Sequence, residues 1–196
     1  MDEFQATLQN GGALVLPTET VYGLFAQALD EAAVNHVYKL KKRPRDKALN
    51  LNVASYEDIL AYSSDQPAYL EQLVQVFLPG PLTIILKAND RVPAWVNSGL
   101  GTVGFRMPNH PVTLSLIASC GPLIGPSANL SGQESGKHFE AILAAFDQQV
   151  EGLADDDALT GQDSTILDLS GSSAKILRQG AITKEELFQA IPELHF

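Results

Sequence analysis

The chain has 196 residues, 45% of them apolar, and carries 13 lysines and arginines against 23 aspartates and glutamates, a formal net charge of −10. This length and composition predict one globular domain spanning residues 1–196, since domains hold on the order of 150 residues. One cysteine excludes an intrachain disulfide, and neither a basic leader nor an apolar run of roughly 20 residues is present, so we expect a cytoplasmic protein without signal peptide or membrane association.

Helices and strands alternate along the predicted chain. Apolar spacing and caps predict helices over 2–10, 31–42, 66–77, 111–119 and 139–146, with further helices beginning after the caps Ser55 and Thr183. Short apolar runs predict strands over 13–16, 49–53, 82–86, 102–106, 123–125, 164–169 and 174–177. We therefore expect an α/β fold with a mixed sheet covered by helices and antiparallel pairing near the end of the chain.

Two predicted loops that follow buried strands are rich in hydroxyl groups. Residues 17–24 read Pro-Thr-Glu-Thr-Val-Tyr-Gly-Leu, and residues 126–132 read Pro-Ser-Ala-Asn-Leu-Ser-Gly. An ordinary connection would favour Asn, Asp or Gly. Because open α/β sheets bind ligands beside the ends of their strands, we expect these two loops to line a binding site.

Basic residues are concentrated in one segment of this acidic protein. Six of the 13 lysines and arginines lie between residues 39 and 47. A nucleic-acid-binding protein usually spreads its cations along a face that follows several phosphates. A local cluster instead favours a small, highly charged anion, for which ATP is the obvious candidate.

Three other patterns do not predict a cofactor or metal site. The run 99–104 matches G-x-G-x-x-G but lacks the flanking strand and helix of a dinucleotide site, so it is expected to form a turn into a strand. The four histidines have no spacing typical of zinc, and one cysteine cannot complete such a site. The run 155–157, three aspartates, is expected to be a solvated acidic loop.

Six motifs, in order along nearly the whole chain, resemble those of the YrdC family. They are Pro17-Thr-Glu-Thr-Val-Tyr-Gly-Leu24, Lys41-x-Arg43-Pro44, Pro79-Gly-Pro-Leu-Thr83, Val103-Gly-Phe-Arg106, Ser127-Ala-Asn129, and Ser164-Thr-Ile166 followed by Leu177-Arg178. The resemblance implies a single-domain α/β fold with a twisted mixed parallel and antiparallel sheet, helices packed on it, and a positively charged concave cavity. It also implies a reaction that joins L-threonine, bicarbonate and ATP into threonylcarbamoyl-AMP and pyrophosphate. The product would pass to a transferase complex that modifies adenosine next to the anticodon of tRNA.

The resemblance further implies which residues form the site. Lys41 and Arg43 are expected to be catalytic. Contacts to L-threonine are expected from Thr20, Arg106, Ser127, Asn129 and Ser164, and contacts to ATP from Arg43, Lys47, Thr102, Gly125, Ser135 and Arg178. No residue is expected to ligate a metal, and Mg²⁺ is expected to accompany the triphosphate. Two departures stand out: Asn52 occupies a position where longer relatives often have a histidine, and the chain is expected to lack their C-terminal domain.

The residue types fit that chemistry. Negative charge accumulates as a carbamate attacks the α-phosphorus and pyrophosphate leaves, and fixed cations such as Lys41 and Arg43 stabilise it. The planar fork of Arg106 suits a bidentate grip on a carboxylate. Selection of threonine over valine needs a buried polar partner for the hydroxyl, and Thr20 and Ser127 are candidates. No covalent nucleophile is expected.

Two other functions remain open. An RNA-binding or ribosome-maturation module is favoured by the same basic segment. The net charge of −10 and the absence of a recognisable RNA-binding motif count against RNA binding as the main activity. A paralogue of the family would use the cavity for another amino acid or nucleotide, and the presence of Lys41, Arg43, Ser127 and Asn129 counts against that reading.

Overall fold

The computed structural model describes all 196 residues and contains a ten-stranded sheet. The helices are α1 (Asp2–Gln9), α2 (Glu31–Lys41), α3 (Tyr56–Tyr62), α4 (Leu70–Phe77), α5 (Ala94–Asn97), α6 (Pro111–Cys120), α7 (Phe139–Ala145) and α8 (Lys184–Ala190). The strands are β1 (Leu14–Leu16), β2 (Gly23–Gln27), β3 (Leu51–Asn52), β4 (Ser63–Ser64), β5 (Leu82–Ala88), β6 (Thr102–Arg106), β7 (Leu123–Ile124), β8 (Glu151–Gly152), β9 (Thr165–Asp168) and β10 (Lys175–Arg178). None of these helices combines the length and the apolar character needed to cross a bilayer.

The sheet mixes parallel and antiparallel pairs, as predicted. The strand order is β10-β9-β5-β6-β3-β7-β2-β1-β8, with β4 paired to β5 outside this path. The pairs β5–β9, β3–β6 and β1–β8 are parallel, and the other pairs are antiparallel. The antiparallel pairing predicted near the end of the chain is confirmed between β9 and β10.

Apolar layers cover both faces of the sheet. Successive side chains of a strand point to opposite faces. In β1, Leu14 and Leu16 accordingly pack with Leu8 of α1 and Leu116 of α6, whereas Val15 belongs to the larger core on the other face. Because the strand is buried on both sides, it appears in the sequence as a continuous apolar run rather than an alternating one.

Side-chain caps hold the first turns of two of the helices. Asp30 accepts hydrogen bonds from the first turn of α2, and Thr183 and Glu186 form the predicted capping box of α8. Lys42 ends α2 in the left-handed conformation with φ of 50°. The chain therefore turns sharply after the helix and directs Arg43 away from the helix axis.

Three differences from the predicted elements have local causes. Helix α4 begins at Leu70 rather than at residue 66, because the chain first forms a turn in which Leu70 N–H donates to the Pro67 carbonyl. The next bond, from Leu73 N–H to the Tyr69 carbonyl, is the first of the α-helical type. The predicted loop 17–24 is shorter, since β2 begins at Gly23. The short elements α5, β4 and β8 are not predicted, because two to four residues carry no periodicity.

Candidate functional site

A cavity of about 330 Å³ brings together residues that lie far apart in the sequence. Seven of the twelve predicted site residues line it: Arg43, Arg106, Gly125, Ser127, Ser135, Ser164 and Arg178. They come from α2's C-terminal loop, from β6, from the loop after β7 and from the β9–β10 hairpin. The cavity therefore exists only when most of the sheet has formed.

Five predicted site residues do not line this cavity. Thr20 and Lys41 are buried, Asn129 is half-buried, Lys47 is exposed, and Thr102 is half-buried at the start of β6. The predicted ligand contacts of these five residues remain predictions.

Arg43 is held along its own loop at the end of α2. Its Nε and Nη2 donate to the carbonyls of Lys47 (3.2 Å) and Ala48 (2.9 Å). Its Nη1 has no protein partner. Because a guanidinium has donors on all three nitrogens, Nη1 remains available to an anion in the cavity.

Arg178 also lines the cavity, from strand β10 at the edge of the sheet. Its Nε and Nη2 donate to the carbonyl (3.0 Å) and the hydroxyl (3.1 Å) of Ser164. The hydroxyl of Thr83 lies 3.0 Å from that of Ser164. The carboxylate of Asp163 lies 3.9 Å from Arg178 Nη1. The hydrogen bonds fix the guanidinium against the hydroxyl pair.

Arg106, at the end of β6, is held from behind by the loop 17–22. Its Nη2 donates to Glu19 Oε1 (2.8 Å) and to Thr20 Oγ1 (2.7 Å). The single hydroxyl hydrogen of Thr18 is donated to the carbonyl of Val21 (2.6 Å), so the Thr20 hydroxyl must be the donor in its 3.0 Å contact with Thr18. Thr20 has no exposed surface, and its hydroxyl accepts a hydrogen bond from Arg106.

Lys41 connects the basic segment to the loop that follows β7. Its ammonium donates to the carbonyls of Ser127 and Asn129, at 2.5 Å each, and its own carbonyl accepts from Ser131 N–H (2.8 Å). Only 1% of the residue is exposed. Burial, and secondarily the charge of Arg43, lower the pKa of the Lys41 ammonium to about 8. The motifs Lys41-x-Arg43 and Ser127-Ala-Asn129 therefore form one hydrogen-bonded unit.

The segment 153–163 crosses over the loop 17–22 and fastens it. The N–H groups of Thr160 and Gly161 donate to the carbonyls of Glu19 (3.0 Å) and Thr20 (2.8 Å). These bonds hold the backbone of Glu19 and Thr20, the two partners of Arg106. The position of the guanidinium therefore depends on strand β6, on the loop 17–22 and on the segment 153–163.

The three aspartates of the predicted acidic loop are solvent-accessible, and two of them also have protein partners. Asp156 Oδ1 accepts from the hydroxyl of Tyr22 (2.7 Å), and Asp155 Oδ2 lies 3.1 Å from Nε2 of His110. Burial, and then the bond to Asp156, raise the pKa of Tyr22, while the bond from Tyr22 is the first cause that lowers the pKa of Asp156. Because Tyr22 lines the cavity, Asp156 supports a residue of the wall from the solvent side.

Several residues of the site do not follow from the sequence as site residues. Thr83, Tyr22 and Asp163 line the cavity, and Glu19 supports Arg106. Asn52 also lines it, at the position where the resemblance implies a histidine near the threonine in longer relatives. The motifs quoted above already contain Tyr22, Glu19 and Thr83. Their place in those motifs is the sequence signal that could have identified them. Asp163 has only its position before Ser164.

The lining chemistry suits a small ligand that carries anionic groups. Three guanidinium groups face the cavity, and Asp163 is the one carboxylate on its wall. Fixed guanidinium groups recognise carboxylates and phosphates through paired hydrogen bonds. The fold and this cavity define an α/β protein with a candidate site for small anionic molecules.

Comparison with known proteins identifies the family. The family model Sua5/YciO/YrdC, described as telomere recombination, matches residues 6–180, and the chain belongs to that family. Proteins named threonylcarbamoyl-AMP synthase from Pyrococcus abyssi and Bacillus subtilis are 38% and 37% identical over 95% and 97% of this chain. A crystal structure of P. abyssi Sua5 complexed with L-threonine matches 98% of this chain with a TM-score of 0.92 and 36% identity, and this chain covers 57% of that chain. This chain covers 56% of each of the two synthases, so it spans about half the length of the curated relatives it matches.

Proposed function

We propose that this protein is an L-threonylcarbamoyladenylate synthase, which converts L-threonine, bicarbonate and ATP into threonylcarbamoyl-AMP, pyrophosphate and water. One observation carries the proposal: Arg43, Arg106 and Arg178 converge in one cavity together with the hydroxyls of Ser127 and Ser164. Membership of the family and the names of the relatives support the same reaction. We also propose that residues 1–196 act as a single domain.

The proposed threonine subsite lies at Arg106. Its guanidinium lines the cavity and is already held by Glu19 and Thr20, so a substrate carboxylate would meet a fixed donor set. Ser127 and Ser164 supply hydroxyls on the same wall. Thr20 and Asn129 would act at this subsite from behind the lining.

The proposed ATP subsite lies between Arg43 and Arg178, with Gly125 and Ser135 on the wall. Lys47 and Thr102 would join it only if ATP extends beyond the cavity. Asp163 is the one carboxylate on the wall, and the chain has no cluster of three or more His, Cys, Asp or Glu side chains that would hold a metal. Mg²⁺ would therefore be held mainly by phosphate oxygens, and it would neutralise their charge.

Catalysis would rest on positioning and electrostatics. The carbamate of threonine must approach the α-phosphorus in line with the departing pyrophosphate, and both carry negative charge. The free Nη1 of Arg43 and the fixed guanidinium of Arg178 would stabilise phosphate oxygens as that charge develops. Lys41 would contribute by holding the Ser127 loop, because its ammonium is bound to two carbonyls.

The proposed partners are those of the reaction. The product would pass to a separate transferase complex that modifies tRNA in the cytoplasm. Of the six cations between residues 39 and 47, Lys41 is buried, Arg43 faces the cavity, and Arg45 stacks over the ring of Tyr38 at 4.4 Å. Lys41 and Arg43 are thus not part of an exposed basic face, and the net charge of −10 opposes binding of a polyanion, so we rank the RNA-binding alternative second.

The experiment incubates the protein with ATP, Mg²⁺, bicarbonate and one amino acid at a time, and follows pyrophosphate release and the mass of the adenylate product. We expect release that depends on threonine. Release without threonine, or equal release with valine, would refute the proposal.

A matched pair of variants tests the cavity itself. Arg43→Ala should remain folded and lose ATP affinity, whereas Arg45→Ala, which removes an exposed arginine two residues away, should bind ATP as the unaltered protein does. Loss of thermal stability in Arg43→Ala without loss of ATP binding would assign that residue a structural role.

A further inference from the structure

The guanidinium of Arg106 has one nitrogen whose hydrogens are both used. Nη2 carries two hydrogens, and it donates to Glu19 Oε1 at 2.8 Å and to Thr20 Oγ1 at 2.7 Å. In contrast, Nε is buried and has no hydrogen-bond partner. A buried donor without a partner is costly, and Arg106 lines the cavity. Nη1 also has no protein partner, but it is not buried, so it is the nitrogen of Arg106 that a ligand in the cavity can reach.

Glu19 is itself held in place and does not line the cavity. Its Oε2 accepts from Asn109 N–H at 2.9 Å, and its backbone carbonyl accepts from Thr160 N–H at 3.0 Å. Only 16% of its side chain and 15% of that of Arg106 are exposed. Both oxygens of the carboxylate thus have defined donors, and one of these donors comes from the loop after β6.

We propose that Glu19 is a positioning residue for amino-acid recognition. By occupying Nη2, it fixes the plane of the Arg106 guanidinium and directs the free Nη1 toward the carboxylate of the substrate. This inference rests on the proposed function, in which that carboxylate belongs to L-threonine. Glu19 acts through Arg106 and touches no substrate.

Two variants separate the geometry from simple folding. In Glu19→Gln, one carboxylate oxygen becomes an NH₂ group, so either Arg106 or Asn109 faces a donor instead of an acceptor. In Glu19→Asp, the carboxylate is one methylene shorter and cannot reach both donors. The matched control is Glu186→Gln, whose carboxylate also accepts a backbone N–H, but at the cap of α8.

The first measurement is calorimetric binding of L-threonine together with steady-state kinetics. Losing a hydrogen bond between charged groups corresponds to a tenfold or larger loss of affinity, so Kd and KM for threonine should rise by about tenfold in Glu19→Gln. The kcat should stay within about a factor of three, because the chemistry at phosphorus is unchanged. Glu186→Gln should match the unaltered protein. Unchanged threonine affinity in a folded Glu19→Gln would overturn the proposal.

The second measurement does not depend on catalysis. The ¹⁵N–¹H signal of Arg106 Nε, assigned through Arg106→Lys, should report a rigid guanidinium in the unaltered protein and a mobile one in both Glu19 variants. If the unaltered protein binds no threonine, the proposed function fails, and this signal still decides whether Glu19 positions Arg106. If the signal is equally rigid in all variants, or if both Glu19 variants fail to fold, a positioning role is ruled out.

Discussion

Replacing Lys41 with methionine keeps the length of the side chain and removes its ammonium group. Two buried carbonyls, of Ser127 and Asn129, would then lose their donor. We expect the loop after β7 to loosen and ligand affinity to fall, although Lys41 lies behind the cavity wall.

The change in stability is the difference between two opposing terms. Each unpaired buried carbonyl costs about 1–3 kcal/mol, which gives about 2–6 kcal/mol for the pair. Against this, burial lowers the pKa of Lys41 from 10.5 to about 8, so the charged form is disfavoured in the folded protein by about 3 kcal/mol. Removing the charge recovers that cost. Lys41→Met should therefore change the free energy of unfolding by no more than about 3 kcal/mol. The local loosening of the loop after β7 should nevertheless be large.

The same pKa gives a pH dependence with a definite sign. Between pH 8 and 10.5 the unfolded chain holds a proton on Lys41 that the folded chain has released, so stability from this residue rises with pH in that window. From pH 7 to pH 9 the rise is about 1 kcal/mol. A neutral amine still has two N–H groups, so both carbonyl contacts persist above pH 8.

Urea unfolding at pH 7 and pH 9 measures both effects, with Lys39→Met as the control because Lys39 is an exposed lysine of the same helix. Hydrogen exchange at Ser131 N–H, which donates to the backbone of Lys41, reports the loop. We expect faster exchange and ATP affinity at least about tenfold weaker in Lys41→Met only. Unchanged exchange together with weakened ATP binding would refute the anchoring role and indicate direct contact with phosphate.

Two further substitutions test the walls of the cavity. Arg178→Lys replaces three donor nitrogens with one, so a lysine that holds Ser164 has no second nitrogen to present to a phosphate. The KM for ATP should therefore rise by about tenfold with little change in melting temperature, and an unchanged KM would contradict the assignment of Arg178 to the ATP subsite. Gly125→Ala would place a methyl group against the buried ring of Phe25, so we expect the free energy of unfolding in urea to fall by about 1–3 kcal/mol. The control is Gly101→Ala, whose methyl group meets no atom within 4 Å, so its free energy of unfolding should change by no more than about 0.5 kcal/mol. Equal stability of the two alanine variants would show that the sheet yields at Gly125.

Periodicity and caps predict most of the fold because each element carries its own signal. The box of Thr183 and Glu186 is local, as is the apolar run that forms β6 at Thr102–Arg106, and both are confirmed. The strand β2 is missed because its first residues, Gly23 and Leu24, continue the motif that begins at Pro17, so no separate turn marks where the strand begins.

The candidate site is harder to predict because its contacts join distant segments. That Lys41 faces two carbonyls rather than the cavity depends on how α2 packs against the loop after β7, which no spacing within either motif specifies. Likewise, the pairing of Glu19 with Arg106 follows only from the alignment of β6 beside the loop 17–22. Motifs indicate which residues gather, and the tertiary structure decides which of them face a ligand.

Strand β10 lies at an open border of the sheet, its residues are mostly solvent-exposed, and it is bonded to a single neighbour, β9. Border strands are the first parts of a sheet to fray. Since Arg178 lies on this strand and lines the same cavity as Arg43, a nucleotide bound to both arginines would link the outermost strand to the interior. Occupancy of the cavity would then protect the amides of β10 from solvent exchange, so that ligand binding and the integrity of the sheet border strengthen each other.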